Sequence, residues 1–381
     1  MRKYFLNVML IGLSTIFALT LFLLFDFFLG AKILNFQDKT ISLEEKPYLQ
    51  GANGWYELKS KFNGYDQFGP RIFPVETSTH GFRVKPGSLE LDKYEMIFLG
   101  DSFTYGVNGP WEETFVGMFA DETGLAVLNA GVGSYSPTAY LYQYDKFLKL
   151  NLLKSHHTLV LVLDISDVQD EAGIWIDGNP TPRYRDDDLK IKLQAFTEPS
   201  GLRKFFVERF PITRLIFRYV RHHFVYTKKN VIDQPRSAFT YAEWSKLDLK
   251  RAYMPPNEGY APLGVEGGLV RVKEKIIQIS KLAKKYDASF YILIYPWPAQ
   301  LVYPSKFSWS SFVENLCTEI SCSGVIDMIP IFADLVSDVK YSKKEFYVSG
   351  DVHFNENGNR VIANELLKRF EAKLETHKPP P

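Results

Sequence analysis

The sequence predicts an α/β domain built on a parallel β-sheet and preceded by a helix that can cross a membrane. Two observations predict the sheet: short apolar runs recur along the chain, and segments with helical periodicity separate them. Strands that alternate with helices are typical of a parallel sheet covered on both faces. The third observation is an uncharged apolar run near the N-terminus, long enough to span a bilayer.

The N-terminal apolar run is the first predicted element. Residues 8–25 carry no charge, and Asp26 is the only charged residue before the run ends. A cleaved signal peptide is the alternative, but its apolar core is normally about 7–15 residues long. We therefore expect an uncleaved transmembrane anchor at 1–31. Arg2 and Lys3 favour a cytoplasmic N-terminus, which places the rest of the chain outside the cytosol, in the periplasm or at the cell surface.

Residues 32–93 show no sustained helix or strand periodicity. Glycine and proline recur through this stretch at short intervals, and both residues mark turns. The sequence therefore predicts an irregular lead-in segment, with few regular elements, between the anchor and the main domain at 94–381.

Strands and helices alternate from residue 94 onward. Short apolar runs are typical of buried strands, and longer amphipathic runs are typical of helices. Together they predict a three-layer, flavodoxin-like α/β fold with a parallel sheet. We predict strands at 95–99, 125–128, 158–165, 289–295 and 324–328, and helices at 115–122, 138–149, 265–285, 309–319 and 356–376.

Residues of about 170–260 interrupt this alternation, and we interpret them as an insertion. From Arg203 onward the insertion contains a basic amphipathic stretch, in which arginine and lysine are set among phenylalanine, leucine and isoleucine. We favour a solvated helix face for this stretch. A membrane-surface role, of which basic amphipathic helices are also typical, and a glycan-binding role are the alternatives.

Charge and cysteine content limit the possible partners. The formal net charge of +1 over 381 residues removes any general reason to expect nucleic-acid binding. Cys317 and Cys322 are the only cysteines, too few for a disulfide scaffold or for a cysteine-based zinc site without histidines. A single local disulfide and two unpaired thiols both stay open. We predict no cofactor and no metal.

A serine follows the first predicted strand of the main domain, in Gly100-Asp101-Ser102-Phe103. Ligands of open α/β sheets bind beyond the carboxyl ends of the strands, so a substrate would meet Ser102 there. Its backbone N–H can point at a developing oxyanion. Gly-Asp-Ser is also ordinary turn chemistry, so this motif is weak by itself.

A histidine with a nearby carboxylate precedes the last predicted helix, in Gly350-Asp351-Val352-His353-Phe354-Asn355. A serine nucleophile needs a base, and the base needs an acceptor that orients it. Asp351 can orient His353 from within the same loop. The alternative is a loop histidine with no catalytic task.

A third motif, Asn129-Ala130-Gly131-Val132-Gly133-Ser134-Tyr135-Ser136, follows the second predicted strand of the main domain. Small residues at a strand end let backbone donors approach a ligand. An ordinary glycine turn is the alternative.

These three motifs, in this order, resemble the blocks of the SGNH/GDSL hydrolase family. The resemblance covers roughly residue 81 to the C-terminus without most of 170–260. It implies a catalytic triad of Ser102, Asp351 and His353. The segments Gly81-Phe82-Arg83 and Tyr295-Pro296-Trp297-Pro298 also look like membrane-anchored bacterial members found with cell-surface polysaccharide genes.

Two positions depart from the family pattern. The second-block glycine, whose N–H is an oxyanion donor in the family, aligns with Ser134. The third-block asparagine is replaced by Ser166 in Asp164-Ile165-Ser166-Asp167. Losing one oxyanion donor can cost on the order of 10²–10³ in rate. The resemblance implies an oxyanion hole from the N–H groups of Ser102 and Ser134, with Ser166 as a third member.

The resemblance implies acyl transfer through an acyl-serine intermediate. Resolution by water would make the protein an esterase, and resolution by a sugar hydroxyl would make it an O-acyltransferase. We expect an acylated, most simply acetylated, cell-surface glycan as substrate, with a membrane-bound acyl donor as a further partner of the transferase. The alternative is a non-catalytic, membrane-tethered carbohydrate-binding or assembly subunit, which the loss of the asparagine at 166 supports.

Acidic residues crowd the region after the third predicted strand of the main domain, at Asp164, Asp167, Asp170 and Glu171. Carboxylates at this spacing can bind a divalent cation. We favour a solvated strand-end loop over a metal site.

Overall fold

The structure is a computed structural model. It describes residues 2–30, 41, 45–50, 56–68, 71–175, 205–206, 209–213, 216, 260, 262–302, 307–336, 345–348 and 351–375. The chain divides into two compact units, one of residues 1–42 with 190–233 and one of residues 43–189 with 234–381. Most of the insertion predicted at about 170–260 lies outside the described residues.

The first unit contains the N-terminal helix. Helix α1 spans Arg2–Phe25, and a π-helical turn, Asp26–Gly30, continues it. Within the described part of the chain, Met9–Gly30 is the one helical segment that is long and apolar enough to cross a membrane, by length and composition. A signal sequence would have the same character. Most of the side chains in this segment are exposed, as they are in a helix that lipid surrounds.

The second unit contains an eight-stranded sheet in the order β10-β9-β8-β6-β7-β5-β4-β3. Five of these strands run parallel, and their order β7-β6-β8-β9-β10 is the flavodoxin-like order 2-1-3-4-5. The fold class predicted from the sequence is therefore confirmed. The parallel strands are β6 Tyr94–Gly100, β7 Val127–Gly131, β8 Leu153–Leu163, β9 Ser289–Ile294 and β10 Gly324–Asp327.

The parallel strands form the core because they are apolar on both faces. In β6, the consecutive residues Ile97, Phe98 and Leu99 are completely buried, and in β8 burial is continuous from His157 to Leu163. Continuous burial is typical of a strand with helices on both sides.

Helices cover the two faces of the parallel sheet. The chain moves from β6 to β7 and then back past β6 to β8, so right-handed crossovers put the two connections on opposite faces. The helices are α2 Ser102–Tyr105, α3 Phe115–Thr123, α4 Pro137–Lys149, α5 Ser166–Gly173, α6 Gly264–Lys285, α7 Pro298–Val302, α8 Trp309–Ile320, α9 Ile329–Leu335 and α10 Glu356–Glu375, with a 3₁₀ turn at Trp111–Glu113. Helix α6 packs on α4 and α5, and α10 packs on α3.

The lead-in segment differs from its prediction, because it contains five strands among its described residues. Strands β3 to β5 extend the sheet antiparallel from the edge of β7. Strand β4 alternates buried Phe73 and Val75 with exposed Ile72 and Pro74, which is the period of two of a strand. The strand contains a proline and lies among frequent turn residues, so the sequence alone did not reveal it. The strands are β1 Tyr48–Gln50, β2 Tyr56–Leu58, β3 Asn63–Phe68, β4 Arg71–Thr77 and β5 Arg83–Val84.

The two cysteines form a local disulfide. Cys317 lies in the last turns of α8, and its partner Cys322 follows the end of that helix. Of the two alternatives that the sequence left open, the structure has the bonded one.

Candidate active site

The candidate site residues follow the carboxyl ends of three adjacent parallel strands. Ser102 follows β6, Ser134 follows β7 and Ser166 follows β8. The connection that leaves β6 runs to β7 on one side, and the next connection runs to β8 on the other side of β6. The crevice at such a switch point is where ligands of open α/β sheets bind.

The structure brings Ser102, His353 and Asp351 together in a continuous hydrogen-bonded chain. The Ser102 hydroxyl oxygen lies 2.7 Å from His353 Nε2. The other ring nitrogen, Nδ1, lies 2.5 Å from Asp351 Oδ1. If Nδ1 donates to the carboxylate, Nε2 is left as the acceptor for the serine proton, which is the arrangement that activates a serine.

The carboxylate of Asp351 is suited to hold the ring of His353. Burial raises the pKa of Asp351, but the hydrogen bonds and charge of His353 outweigh burial, so the pKa lies below its ordinary value. The same carboxylate oxygen also accepts the backbone N–H of His353 at 3.0 Å. Asp351 therefore stays ionised and fixes both the backbone and the ring of the histidine.

Aromatic side chains flank the imidazole ring. The ring of Phe103, in α2, lies 4.5 Å from the ring of His353, and Phe68, at the end of β3, contacts it edge-on at 5.1 Å. The next residue, Phe354, is buried, and its carbonyl accepts a hydrogen bond from the Asn108 side chain. The histidine loop is thus tied to the loop that follows the nucleophile.

The turn that carries Ser102 is shaped by close packing of backbone. Asp101 caps α2, because its Oδ1 accepts the N–H of Phe103 at 2.9 Å. A Cβ on Gly131 would lie 2.2 Å from the backbone nitrogen of Tyr105, so only glycine fits where β7 passes α2. The side chain of Asn129 spans the same gap and donates to the carbonyl of Thr104 at 2.9 Å.

Arg83 holds the end of α2 from the other side. Its guanidinium is buried and donates to the carbonyls of Tyr105, Gly106 and Gly109 at 2.6–2.7 Å. Tyr105 is the last residue of the helix and Gly106 is its C-cap, so the helix itself supplies no N–H to their carbonyls. The sequence marked Gly81-Phe82-Arg83 only as a resemblance, and nothing in its spacing indicated this role.

The loop after β7 lies beside the nucleophile. A Cβ on Gly133 would lie 3.7 Å from the Cβ of Ser102. Ser134 has a φ of 58°, in the left-handed region that favours glycine. The family glycine expected at this position is therefore replaced by a serine that keeps the glycine-like backbone conformation.

Ser166 differs from its expected role. Its hydroxyl donates to Asp164 Oδ1 at 2.5 Å, and its backbone N–H donates to the same oxygen at 2.7 Å. Both donors of Ser166 are used within its own turn, so neither is directed at an oxyanion. The short serine side chain closes back on Asp164, which the sequence spacing alone did not reveal.

Asp164 is the centre of a buried hydrogen-bond network. Its Oδ2 accepts from the Tyr295 hydroxyl at 3.1 Å and from Trp297 Nε1 at 2.6 Å. Burial, followed by the charge of Asp164, raises the pKa of the neighbouring Asp101 and Asp167 well above its ordinary range. The segment Tyr295-Pro296-Trp297-Pro298 therefore supplies the donors that keep Asp164 hydrogen-bonded in the interior.

The sequence favoured a solvated loop for the acidic residues after β8, and this prediction is wrong. Asp164, Asp167 and Glu171 are buried. Glu171 accepts from the hydroxyls of Ser136 and Thr138 at 2.6 and 2.8 Å, so it links α5 to the start of α4. Among the described residues, no group of three or more histidine, cysteine or acidic side chains is arranged to hold a metal ion.

We compared the chain with family models, curated proteins and solved structures, and only solved structures matched, at low sequence identity. No family model and no curated protein matches the chain. One matching solved structure, a member of the lipolytic G-D-S-L family from Veillonella parvula, is 13% identical, with 72% of this chain and 97% of that chain covered and a TM-score of 0.38. An acetylxylan esterase from Geobacillus stearothermophilus is 8% identical, with 74% and 95% covered and a TM-score of 0.37.

The likeness of this chain to SGNH/GDSL hydrolases rests on its own motifs and on the site that they form. Ser102, His353 and Asp351 meet at the carboxyl edge of a flavodoxin-like sheet, with 2.7 Å and 2.5 Å between successive side chains.

Proposed function

We propose that this protein is a serine hydrolase that acts on ester bonds through an acyl-serine intermediate. The observation that carries the proposal is the chain of hydrogen bonds from Ser102 through His353 to Asp351. Nucleophilic catalysis requires a serine, a histidine and a carboxylate in hydrogen-bonded sequence at a ligand-binding edge. A purely structural role does not require this arrangement.

The reaction proceeds in two acyl transfers. Ser102 Oγ attacks the ester carbonyl carbon while its proton moves to His353 Nε2, and a tetrahedral oxyanion forms. When this intermediate collapses, the ester C–O bond breaks, and His353 returns the proton to the leaving alcohol. The acyl-serine is then attacked by water or by an acceptor hydroxyl, whose proton His353 takes and passes back to Ser102.

Two backbone donors support the oxyanion in this mechanism. Ser102 is the first residue of α2, so its N–H has no partner within the helix. Ser134 offers the second N–H from the loop that lies beside the nucleophile. Donors of this kind are fixed before the reaction starts, which is why they stabilise the developing charge.

We propose further that the protein is tethered to a membrane and acts on ester-linked acyl groups of a cell-surface glycan. The apolar helix Met9–Gly30 supports the tether, with the catalytic unit outside the cytosol. The resemblance of 81–83 and 295–298 to membrane-anchored bacterial family members supports the glycan. Transfer to a sugar hydroxyl, fed by a membrane-bound acyl donor, uses the same residues as hydrolysis.

A serine-reactive fluorophosphonate tests the catalytic proposal on the full chain in detergent. We expect the wild-type chain to be labelled and Ser102→Ala to be unlabelled. Ser88→Ala is the matched control, because Ser88 is exposed and its hydroxyl only donates to the Lys85 carbonyl within its own turn. Labelling of Ser102→Ala at the wild-type rate would overturn the assignment of the nucleophile.

The same experiment tests a second candidate, a non-catalytic carbohydrate-binding or assembly subunit. One observation favours it: Ser166 uses both of its donors on Asp164, so the third donor of the family is not replaced there. A folded wild-type chain that resists the probe would support the subunit. Turnover of acetyl esters, measured with and without a glycan acceptor, then separates hydrolase from transferase.

A further inference from the structure

The described residues of 205–216 contact the end of the N-terminal helix within the first unit. Asp26 is fully buried there. Its Oδ1 accepts the N–H of Ile212 at 2.9 Å, and its Oδ2 accepts the N–H of Thr213 at 2.7 Å. Residues 211–213 are helical and begin with a proline. Asp26 therefore caps the start of this second helix from another part of the chain.

An aromatic cluster surrounds this cap. The ring of Phe27 lies 6.3 Å from Phe205 and 5.7 Å from Phe210, and Phe206 lies 5.5 Å from Phe210. The guanidinium of Arg209 stands 5.4 Å above the ring of Phe27. The only charged side chain in the apolar run is thus used to attach a phenylalanine-rich segment to the end of that run.

The cluster presents apolar side chains outward. Phe206 is 57% exposed, Phe205 46%, Ile216 46% and Phe28 66%. Each exposed square ångström of apolar surface costs about 25 cal/mol in water. Exposed apolar patches of adjoining aromatic residues mark contact surfaces, and this patch adjoins a helix of membrane-spanning length.

We propose that the described residues 205–206, 209–213 and 216 lie in the headgroup region of the bilayer that α1 spans, as an interfacial element fastened to the anchor by Asp26. The inference rests on the proposed anchor and not on the proposed chemistry. Aromatic rings and arginine are the side chains that favour this depth. The sequence around the element adds further basic residues, which suit anionic lipid phosphates: Arg203, Lys204, Arg214, Arg218 and Arg221.

The solvated helix face that the sequence favoured for this stretch fits the described residues less well. A solvated face would expose the charged side chains and bury the rings. Here two of the three described phenylalanines, Phe205 and Phe206, are exposed beside Arg209.

Depth-dependent fluorescence quenching tests the proposal on the full chain in phosphatidylcholine/phosphatidylglycerol vesicles. Both native cysteines are in a disulfide, so a cysteine introduced by Phe206→Cys can be labelled alone with an environment-sensitive dye. We expect this dye to lose most of its emission to a spin label at the headgroup and little to one at the end of an acyl chain. Ala18→Cys, at an exposed position near the middle of the Met9–Gly30 span, is the control and should show the opposite order.

Three other outcomes would overturn the proposal. If the Ala18 dye is quenched by the spin label at the acyl-chain end while the Phe206 dye is quenched only by aqueous iodide, the anchor stands and the interfacial element fails. If both dyes respond only to iodide, the anchor fails with it. If the Phe206 dye is shielded from iodide and from lipid alike, protein and not lipid covers the patch. Fluorophosphonate labelling of Ser102 in the same samples shows whether the catalytic proposal survives independently.

Discussion

At the scale of single residues, His353 is the residue on which the proposed chemistry depends. It contacts the nucleophile through Nε2 and the acid through Nδ1, while Phe103 and Phe68 pack against its ring. Because hydrogen bonds hold both ring nitrogens and aromatic rings pack against the imidazole, the ring loses little conformational entropy when it accepts a proton. Preorganisation of this kind is what distinguishes a catalytic histidine from one on a solvated loop.

Removal of the nucleophile or of the base should abolish turnover. We expect Ser102→Ala and His353→Ala each to lower kcat by at least about 10⁴, and the double variant to be little worse, because the residues act as one unit. Steady-state kinetics on p-nitrophenyl acetate measures this, with a thermal melt to show that each variant is folded. Losses that multiply in the double variant would mean that the two residues act independently.

Ser166 should matter less than an oxyanion donor does. Both of its donors are used on Asp164, so Ser166→Ala should change kcat by less than about tenfold, against 10²–10³ for loss of an oxyanion donor. The kinetic assay above measures the change. The matched comparison is Ser102→Ala, and a fall beyond a hundredfold in Ser166→Ala, with its fold intact, would return Ser166 to the oxyanion hole.

Ser134 should tolerate replacement by glycine better than by any other residue. Its φ of 58° is strained for serine and free for glycine, so Ser134→Gly should raise the free energy of unfolding by roughly 1 kcal/mol. Activity should persist in Ser134→Gly and in Ser134→Ala, because the proposed donor is the backbone N–H. Denaturant unfolding measures the first effect. Stabilisation of the alanine variant as well would show that backbone strain is not the cause.

At the scale of secondary-structure elements, the short helix α2 depends on groups that are distant in sequence. Arg83 donates to three carbonyls at its end, and Asn129 donates to a fourth carbonyl within it. The sequence indicated the nucleophile because glycine, aspartate and serine follow a recognisable strand. It did not indicate Arg83, because a single arginine beside a glycine has no periodicity that separates a buried position from an exposed one.

Replacing Arg83 should loosen the nucleophile turn. Lysine has one ammonium group and cannot reach all three carbonyls, so Arg83→Lys should lower the free energy of unfolding by about 2–4 kcal/mol. The rate of fluorophosphonate labelling of Ser102 should fall as well. Arg71→Lys is the control, since Arg71 is half-exposed and makes a surface ion pair with Glu113, a kind of pair worth about 1 kcal/mol at most. Equal effects of the two substitutions would exclude a positioning role.

At the scale of the whole molecule, the features that the sequence predicted are those that hydrophobic periodicity and strand-end motifs indicate. The five parallel strands and the principal helices of the domain follow from such patterns. The meeting of Ser102, Asp351 and His353 was expected from the resemblance of their motifs to the SGNH/GDSL hydrolase family. The missed features depend on tertiary context. Strands β3 and β4 contain residues typical of turns, such as Gly64 and Pro74. The buried acidic residues depend on donors from α4 and from Tyr295, directly after β9.

The contact between Phe68 and His353 decides where a working fragment of this protein has to begin. A fragment cut at residue 94, the boundary that sequence periodicity suggests, would lack β3 to β5 and the ring beside the base. It would also leave the edge of β7 unpaired, and an unpaired edge recruits other chains. In detergent, we expect residues 43–381 to stay monodisperse and reactive and residues 94–381 to aggregate, which size-exclusion chromatography with fluorophosphonate labelling would show. Residues 43–93 are therefore part of the catalytic domain and cannot be removed as a linker.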